Sequence, residues 1–166
     1  MKHTISVLVE NHAGVLTRLS NLFARRGFNI DSLAVGVTEN PNFSRMTIVV
    51  DGDDYTVEQL EKQLNKQIDV VKVKTLLSTS LISRELTLVK VGCTPSDRHA
   101  IMDVCTILSA KIIDISKTTV TIEINDTGER IDTLLELVRP YGIREVVRTG
   151  TIAIDQGDST ISANRK

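Results

Sequence analysis

Apolar positions along the chain switch between two periods. Over residues 5–9, Ile5, Val7 and Val9 alternate with other side chains, which predicts a strand. The segment Glu10-Asn11-His12-Ala13-Gly14 interrupts this pattern. Val15, Leu19, Leu22 and Phe23 then recur at helical spacing and form one apolar stripe. Arg25-Arg26-Gly27 closes that helix, because cations suit a last turn and glycine suits the left-handed residue after it. Residues 29–38 read as a second strand and 39–45 as a loop, and Met46, Ile48 and Val50 alternate as a third strand. Thr56 and Gln59 form a capping-box pair before a helix carrying Val57, Leu60 and Leu64, and residues 68–76 return as a strand. The order is βαββαβ.

After a Ser/Thr-rich linker the order repeats. Leu86 and Leu88, with Val91, predict a strand, and Thr94-Pro95-Ser96-Asp97 a helix start with Thr94 as cap. Ile101, Val104, Cys105 and Leu108 supply the helical stripe. Strands are expected near 111–117 and 119–125. A helix with Ile131, Leu134, Leu135 and Val138 follows and ends at Pro140-Tyr141-Gly142, and the last strand spans about 143–149. Met46-Thr47-Ile48-Val49-Val50 aligns with Val120-Thr121-Ile122-Glu123-Ile124 at an offset at which Val57, Leu60 and Leu64 also meet Ile131, Leu134 and Val138. Duplication explains this better than chance agreement. The expected fold class is α+β, two tandem ferredoxin-like βαββαβ sandwiches over residues 1–76 and 84–154. A linker at 77–83 joins them, and 155–166 is a mobile tail. An antiparallel sheet covered by helices on one face leaves edges and apolar surface to bury, so the first module is expected to form a homodimer.

Composition narrows the function. The 166 residues are 41% hydrophobic and 25% charged, ordinary globular usage. A net charge of −1 and 3% aromatic content argue against a nucleic-acid partner or an anionic membrane surface, which need clustered cations and stacking platforms. Met1-Lys2-His3 leads directly into strand pattern, and no apolar run approaches the roughly 18 residues of a membrane helix. A cytoplasmic chain is expected, or a mature organelle-stroma chain without its transit peptide. Cys93 and Cys105 admit a disulfide, a metal pair or two buried thiols, and the last suits a reducing compartment.

Catalytic chemistry is missing from the pattern. His3, His12 and His99 each stand alone in sequence, with no metal-binding helix spacing, and His99 reads as a solvated surface residue. Asp53-Asp54 reads as helix-entry charge. Gly14 lacks the companions of a phosphate loop, and the 10–14 loop has no arginine to cradle an acyl phosphate. No catalytic residue and no metal site is expected, so the chain is not expected to be an enzyme by itself. The same loop does suit an amino acid. Gly14 opens a helix whose free N–H groups receive a carboxylate. Asn11 and Asn29 offer amide oxygens to an ammonium group, and Ala13, Val15, Leu16 and Ile30 offer apolar walls. A helix cap at Asn11 and a tight turn at Gly14 would account for the same two residues.

The runs Ile5-Ser-Val-Leu-Val-Glu-Asn-His-Ala-Gly-Val-Leu16 and Arg25-Arg-Gly-Phe-Asn-Ile-Asp-Ser-Leu33, with Ser44-Arg-Met-Thr-Ile-Val-Val50 and Arg84-Glu-Leu86, resemble the acetolactate synthase small-subunit family. The resemblance spans nearly the whole chain. It implies an N-terminal ACT domain, a C-terminal ACT-like domain, and a regulatory role with no cofactor in this subunit. The implied partner is a large catalytic subunit using thiamine diphosphate, Mg and FAD, which condenses two pyruvates, or pyruvate with 2-oxobutyrate, toward valine, leucine and isoleucine. The small subunit would activate that partner and make it sensitive to valine. The resemblance also implies that valine binds between two ACT domains of a dimer. Asn11, His12, Ala13, Gly14, Val15 and Leu16 would come from one chain, and Asn29 and Ile30 from the other. The corresponding loop of the second module, Gly92-Cys93-Thr94-Pro95, lacks the asparagine and the helix-entry glycine, which puts a second site in doubt. An alternative is a stand-alone ACT-domain sensor acting on another enzyme or regulator.

Overall fold

The computed structural model describes residues 1–161, and their contacts separate into two units. Among these residues the first holds 1–82 and 151–161; the second holds 83–150.

In the first unit, β1 (Lys2–Glu10), α1 (Val15–Arg25), β2 (Ile30–Val37), β3 (Phe43–Asp51), α2 (Asp54–Leu64) and β4 (Val70–Leu76) follow in chain order. The strands form an antiparallel sheet in the order β2-β3-β1-β4, the ferredoxin-like arrangement. Ile5, Val7, Val9, Met46, Ile48, Val50 and Val73 project from one face. They pack on Val15, Leu19 and Phe23 of α1 and on Val57, Leu60 and Leu64 of α2. Each such side chain contributes about 1.5–3 kcal/mol on removal from water. Ser6, Leu8, Thr47, Val49 and Leu76 on the other face are buried too. A further strand, β9 (Ile152–Asp155), covers part of that face. The Arg45 guanidinium donates to the Ala153 carbonyl at 2.8 Å, and Lys74 Nζ pairs with Asp155 Oδ2 at 2.7 Å.

β5 (Leu81–Gly92) starts in the first unit and runs into the second. There α3 (Arg98–Ile107), β6 (Lys111–Ile115), β7 (Thr119–Asp126), α4 (Gly128–Val138) and β8 (Ile143–Arg148) complete a sheet ordered β6-β7-β5-β8, the order of the first sheet again. Val89, Val91, Val120, Ile122 and Ile124 meet Ile101, Cys105, Leu108, Ile131, Leu134 and Val138 in its core. The α+β ferredoxin-like architecture stands in both units. Cys93 and Cys105 are both buried and free. Burial raises the pKa of the Cys105 thiol, which keeps it protonated. No helix among the described residues is long and apolar enough to cross a membrane.

Several elements depart from the sequence pattern. β3 begins at Phe43, inside the expected 39–45 loop, because Thr38 and Asn40 exchange backbone bonds with Phe43 and close a short turn. Thr56 does not cap α2. Asp53 does, its carboxylate accepting the Thr56 N–H at 2.7 Å. On β5 the core-facing residues are Thr87, Val89 and Val91, not Leu86 and Leu88. Pairing with Ile124, Ile122 and Val120 sets that phase. α3 starts at Arg98 after Asp97, not at Pro95 after a Thr94 cap, since Thr94 and Asp97 close a turn on each other: the Thr94 N–H donates to the Asp97 carboxylate, and the Asp97 N–H to the Thr94 carbonyl. β5 already begins at Leu81, within the expected linker. Nor is the chain free from 155: Lys74 holds both Asp155 and the Ser159 hydroxyl, and the Gln156 N–H donates to Ser80. Residues 162–166 of the expected tail lie outside the described residues.

Candidate functional site

β1 delivers the chain to an exposed loop, Asn11 to Gly14. Asn11 does not cap α1. Its backbone N–H donates to the Asn42 carbonyl at 2.8 Å and its Nδ2 to the Pro41 carbonyl at 2.9 Å, while Oδ1 accepts from Ser44 Oγ at 3.1 Å. These bonds fasten the loop to the turn between β2 and β3. Gly14 is the residue before α1, at φ +89°, a left-handed conformation that glycine adopts without cost. No side chain caps α1, and no acid stands in its first turn, so its N-terminal N–H groups and positive dipole end open to the loop. Ala13 and Leu16 are exposed beside them. Val15 is buried in the core, leaving its backbone N–H rather than its side chain to the loop.

Arg18 and Asp69 join Glu10 and His12 here, a grouping that the sequence did not reveal. His12 Nε2 lies 3.0 Å from Asp69 Oδ1 and 3.5 Å from Glu10 Oε2, and Arg18 Nε lies 3.0 Å from Asp69 Oδ2. The Glu10 N–H donates to the Asp69 carbonyl at 2.9 Å, which ties the residue before β4 to the end of β1. His12 is therefore not alone. Asp69 is buried, and only the packing of β4 against β1 brings it to the loop. Arg18 Nη2 sits 3.6 Å from where a Cβ on Gly14 would stand, so a guanidinium flanks the open end of α1. His99, by contrast, is exposed on α3 as expected.

Asn29 and Ile30 lie elsewhere. Gly27, at φ +70°, ends α1, and the Phe28 N–H returns to the Phe23 carbonyl at 3.0 Å. Asn29 is exposed, with Nδ2 3.5 Å from Asp31 Oδ1, and Ile30 packs half-buried against the core. Ile30 pairs with Val50, which pairs with His3, whereas Asn11 lies beyond the Glu10–Phe43 pair at the other end of the sheet. Eight residues of strand separate the two levels, roughly 25 Å. One chain does not bring the two halves of the expected residue set together.

The matching loop of the second unit is filled by its own backbone. The Gly92 N–H donates to the Gly142 carbonyl at 2.8 Å and the Cys93 N–H to the Thr118 carbonyl at 2.8 Å. A Cβ on Gly92 would stand 2.7 Å from the Tyr141 carbonyl oxygen. At the opposite end of this sheet, Glu85 is buried and grips Arg148 through both carboxylate oxygens, and this raises the Arg148 pKa.

Comparison with known proteins agrees with this architecture. Residues 5–72 match the family model for the AHAS small subunit-like ACT domain, and residues 84–157 the model for the small subunit of acetolactate synthase. The chain is 48% identical to a probable acetolactate synthase small subunit of Archaeoglobus fulgidus, over 95% of this chain and 99% of that protein. It is 47% identical to the acetolactate synthase small subunit of Mycolicibacterium smegmatis, over 97% and 95%. The crystal structure of the acetolactate synthase small subunit from Thermotoga maritima superposes with a TM-score of 0.88 at 39% identity, covering 96% of this chain and 99% of that one. The chain belongs to the acetolactate synthase small-subunit family.

Proposed function

We propose that this chain is the regulatory subunit of an acetolactate synthase and that its first unit binds valine between two copies of itself. The observation carrying this reading is the separation of Asn29 and Ile30 from the Asn11–Gly14 loop along one sheet. β2 is an edge of that sheet and exposes Val35 and Val37, a template for pairing. Two β2 edges paired antiparallel about a twofold axis bring Asn29 of one chain to the end of the sheet where the other carries its loop. The valine carboxylate then meets the open end of α1 and Arg18. The ammonium group meets the Asn11 and Asn29 amide oxygens, and the side chain lies among Ala13, Leu16 and Ile30. His12 braces the loop from behind.

The chemistry belongs to the large subunit, which would hold thiamine diphosphate, Mg and FAD. The small subunit activates it and withdraws activity when valine is bound, an allosteric coupling of about 1–3 kcal/mol. Sedimentation and valine calorimetry on Val35→Lys test the reading. A lysine in the β2 edge opposes pairing, so dimer and valine binding are expected to be lost together, with each unit still folded. A Val35→Lys monomer that binds valine with unchanged affinity would sink the two-chain site.

A further inference from the structure

We propose that Glu10, His12 and Asp69 form a site for one divalent first-row metal cation. One ligand atom of each lies within 4.8 Å of the other two. The second ring nitrogen of His12 is engaged outside the cluster and leaves Nε2 to it. His12 Nδ1 lies 3.1 Å from the Ala13 carbonyl oxygen. A carbonyl only accepts, so Nδ1 carries the hydrogen. Nε2 faces Asp69 Oδ1 at 3.0 Å and Glu10 Oε2 at 3.5 Å, so it either carries a second hydrogen toward these oxygens or offers its lone pair, together with theirs, to a cation. In the second case one nitrogen and two carboxylate oxygens converge on a single cation.

The groups behind these ligands are arranged to hold them. The His12 Nδ1–H is fixed by a backbone carbonyl. The second oxygen of Asp69 accepts from Arg18 Nε at 3.0 Å, and the Glu10 N–H is bonded to the Asp69 carbonyl at 2.9 Å. Such outer partners orient metal ligands in proteins. One imidazole and two carboxylates suit Mn2+, Co2+ or Zn2+ better than a soft ion. The side chains of Glu10 and His12 are 41% and 43% exposed, which leaves coordination positions for water. Two carboxylates against the single guanidinium of Arg18 leave the cluster negative, and a dication reverses that sign. The inference concerns the cation alone and stands whether or not the neighbouring loop takes an amino acid.

The rival occupant is a proton, giving an imidazolium clamped between two carboxylates. Mn2+ separates the two, because it has little affinity for the buried thiols of Cys93 and Cys105. The full chain, stripped with chelator, is titrated with Mn2+ while free ion is followed by electron paramagnetic resonance. Saturable uptake of one Mn2+ per chain is expected, weakened at least about tenfold in His12→Gln and in Glu10→Gln, and unchanged in His99→Gln. Far-UV circular dichroism confirms that the variants fold, and Co2+ bound to the wild-type chain should show a visible absorption band absent from His12→Gln. No saturable Mn2+ uptake by the wild-type chain, or equal affinity in His12→Gln, overturns the proposal and leaves the imidazolium.

Discussion

Gly14 and Gly92 are glycines for opposite reasons. At Gly14 the backbone sits at φ +89°, yet a Cβ would meet only Arg18 Nη2 at 3.6 Å. Alanine there costs about 1–2 kcal/mol of local strain and no more. Aspartate carries the same strain plus a carboxylate that reaches Arg18 and the end of α1, the place proposed for the valine carboxylate. Gly14→Ala should therefore lower Tm slightly and still bind valine, whereas Gly14→Asp should bind none. The loss of two or three charge-assisted hydrogen bonds, about 1.5–3 kcal/mol each, exceeds the coupling itself. Equal valine affinity of the two variants in calorimetry would remove the loop from the site. At Gly92 the obstacle is the Tyr141 carbonyl, 2.7 Å from a Cβ. Gly92→Ala should destabilise the second unit by about 1–3 kcal/mol, read as a shift in its thermal transition, with valine affinity unchanged. Gly14 was legible because it stands between a strand pattern and a helix pattern. Asp69 was not: no local period links it to His12 and Arg18, and only the β1–β4 pairing does.

Among the elements, α2 shows how one polar side chain sets a boundary. Asp53 accepts the Thr56 N–H, and hydrogen bonding from Thr56 holds its pKa below the ordinary carboxylate value. A lowered folded pKa stabilises the protein above the unfolded carboxylate's value, about 4, and that contribution is lost as pH falls through the lowered one. Asp53→Ala should lower Tm at neutral pH, and its gap from wild type should close on acidification. Asp53→Asn, also a good cap, should stay near wild type at neutral pH. A gap that stays constant down to strongly acid pH would show that the carboxylate is not the source. The sequence offered Thr56 and Gln59 as a capping pair and Asp53 as entry charge, and spacing alone does not rank them. β5 carries the same lesson. Leu86 and Leu88 are the more conspicuous apolar pair, but the register with Val120, Ile122 and Ile124 turns Thr87, Val89 and Val91 inward. Strands with apolar residues on both faces do not reveal their phase without the partner.

For the whole molecule, the repeated βαββαβ order was readable because both helical stripes and strand alternations recur in step. The return of the chain was not. Ile152–Asp155 has four residues, too few for alternation to stand out, yet Arg45 and Lys74 fasten it to the first sheet. The proposed valine site is one that no single chain completes. The most direct test mixes two variants, Gly14→Asp and Asn29→His, each expected to bind no valine alone. After subunit exchange half the dimers contain one chain of each kind. In those, one site carries both lesions and the other carries neither. Calorimetry on the mixture should then recover about one quarter of the wild-type sites at wild-type affinity, as an isologous two-chain site requires. Recovery of no binding at all, with exchange confirmed by mass spectrometry of the mixed dimer, would place the site within one chain and contradict the account.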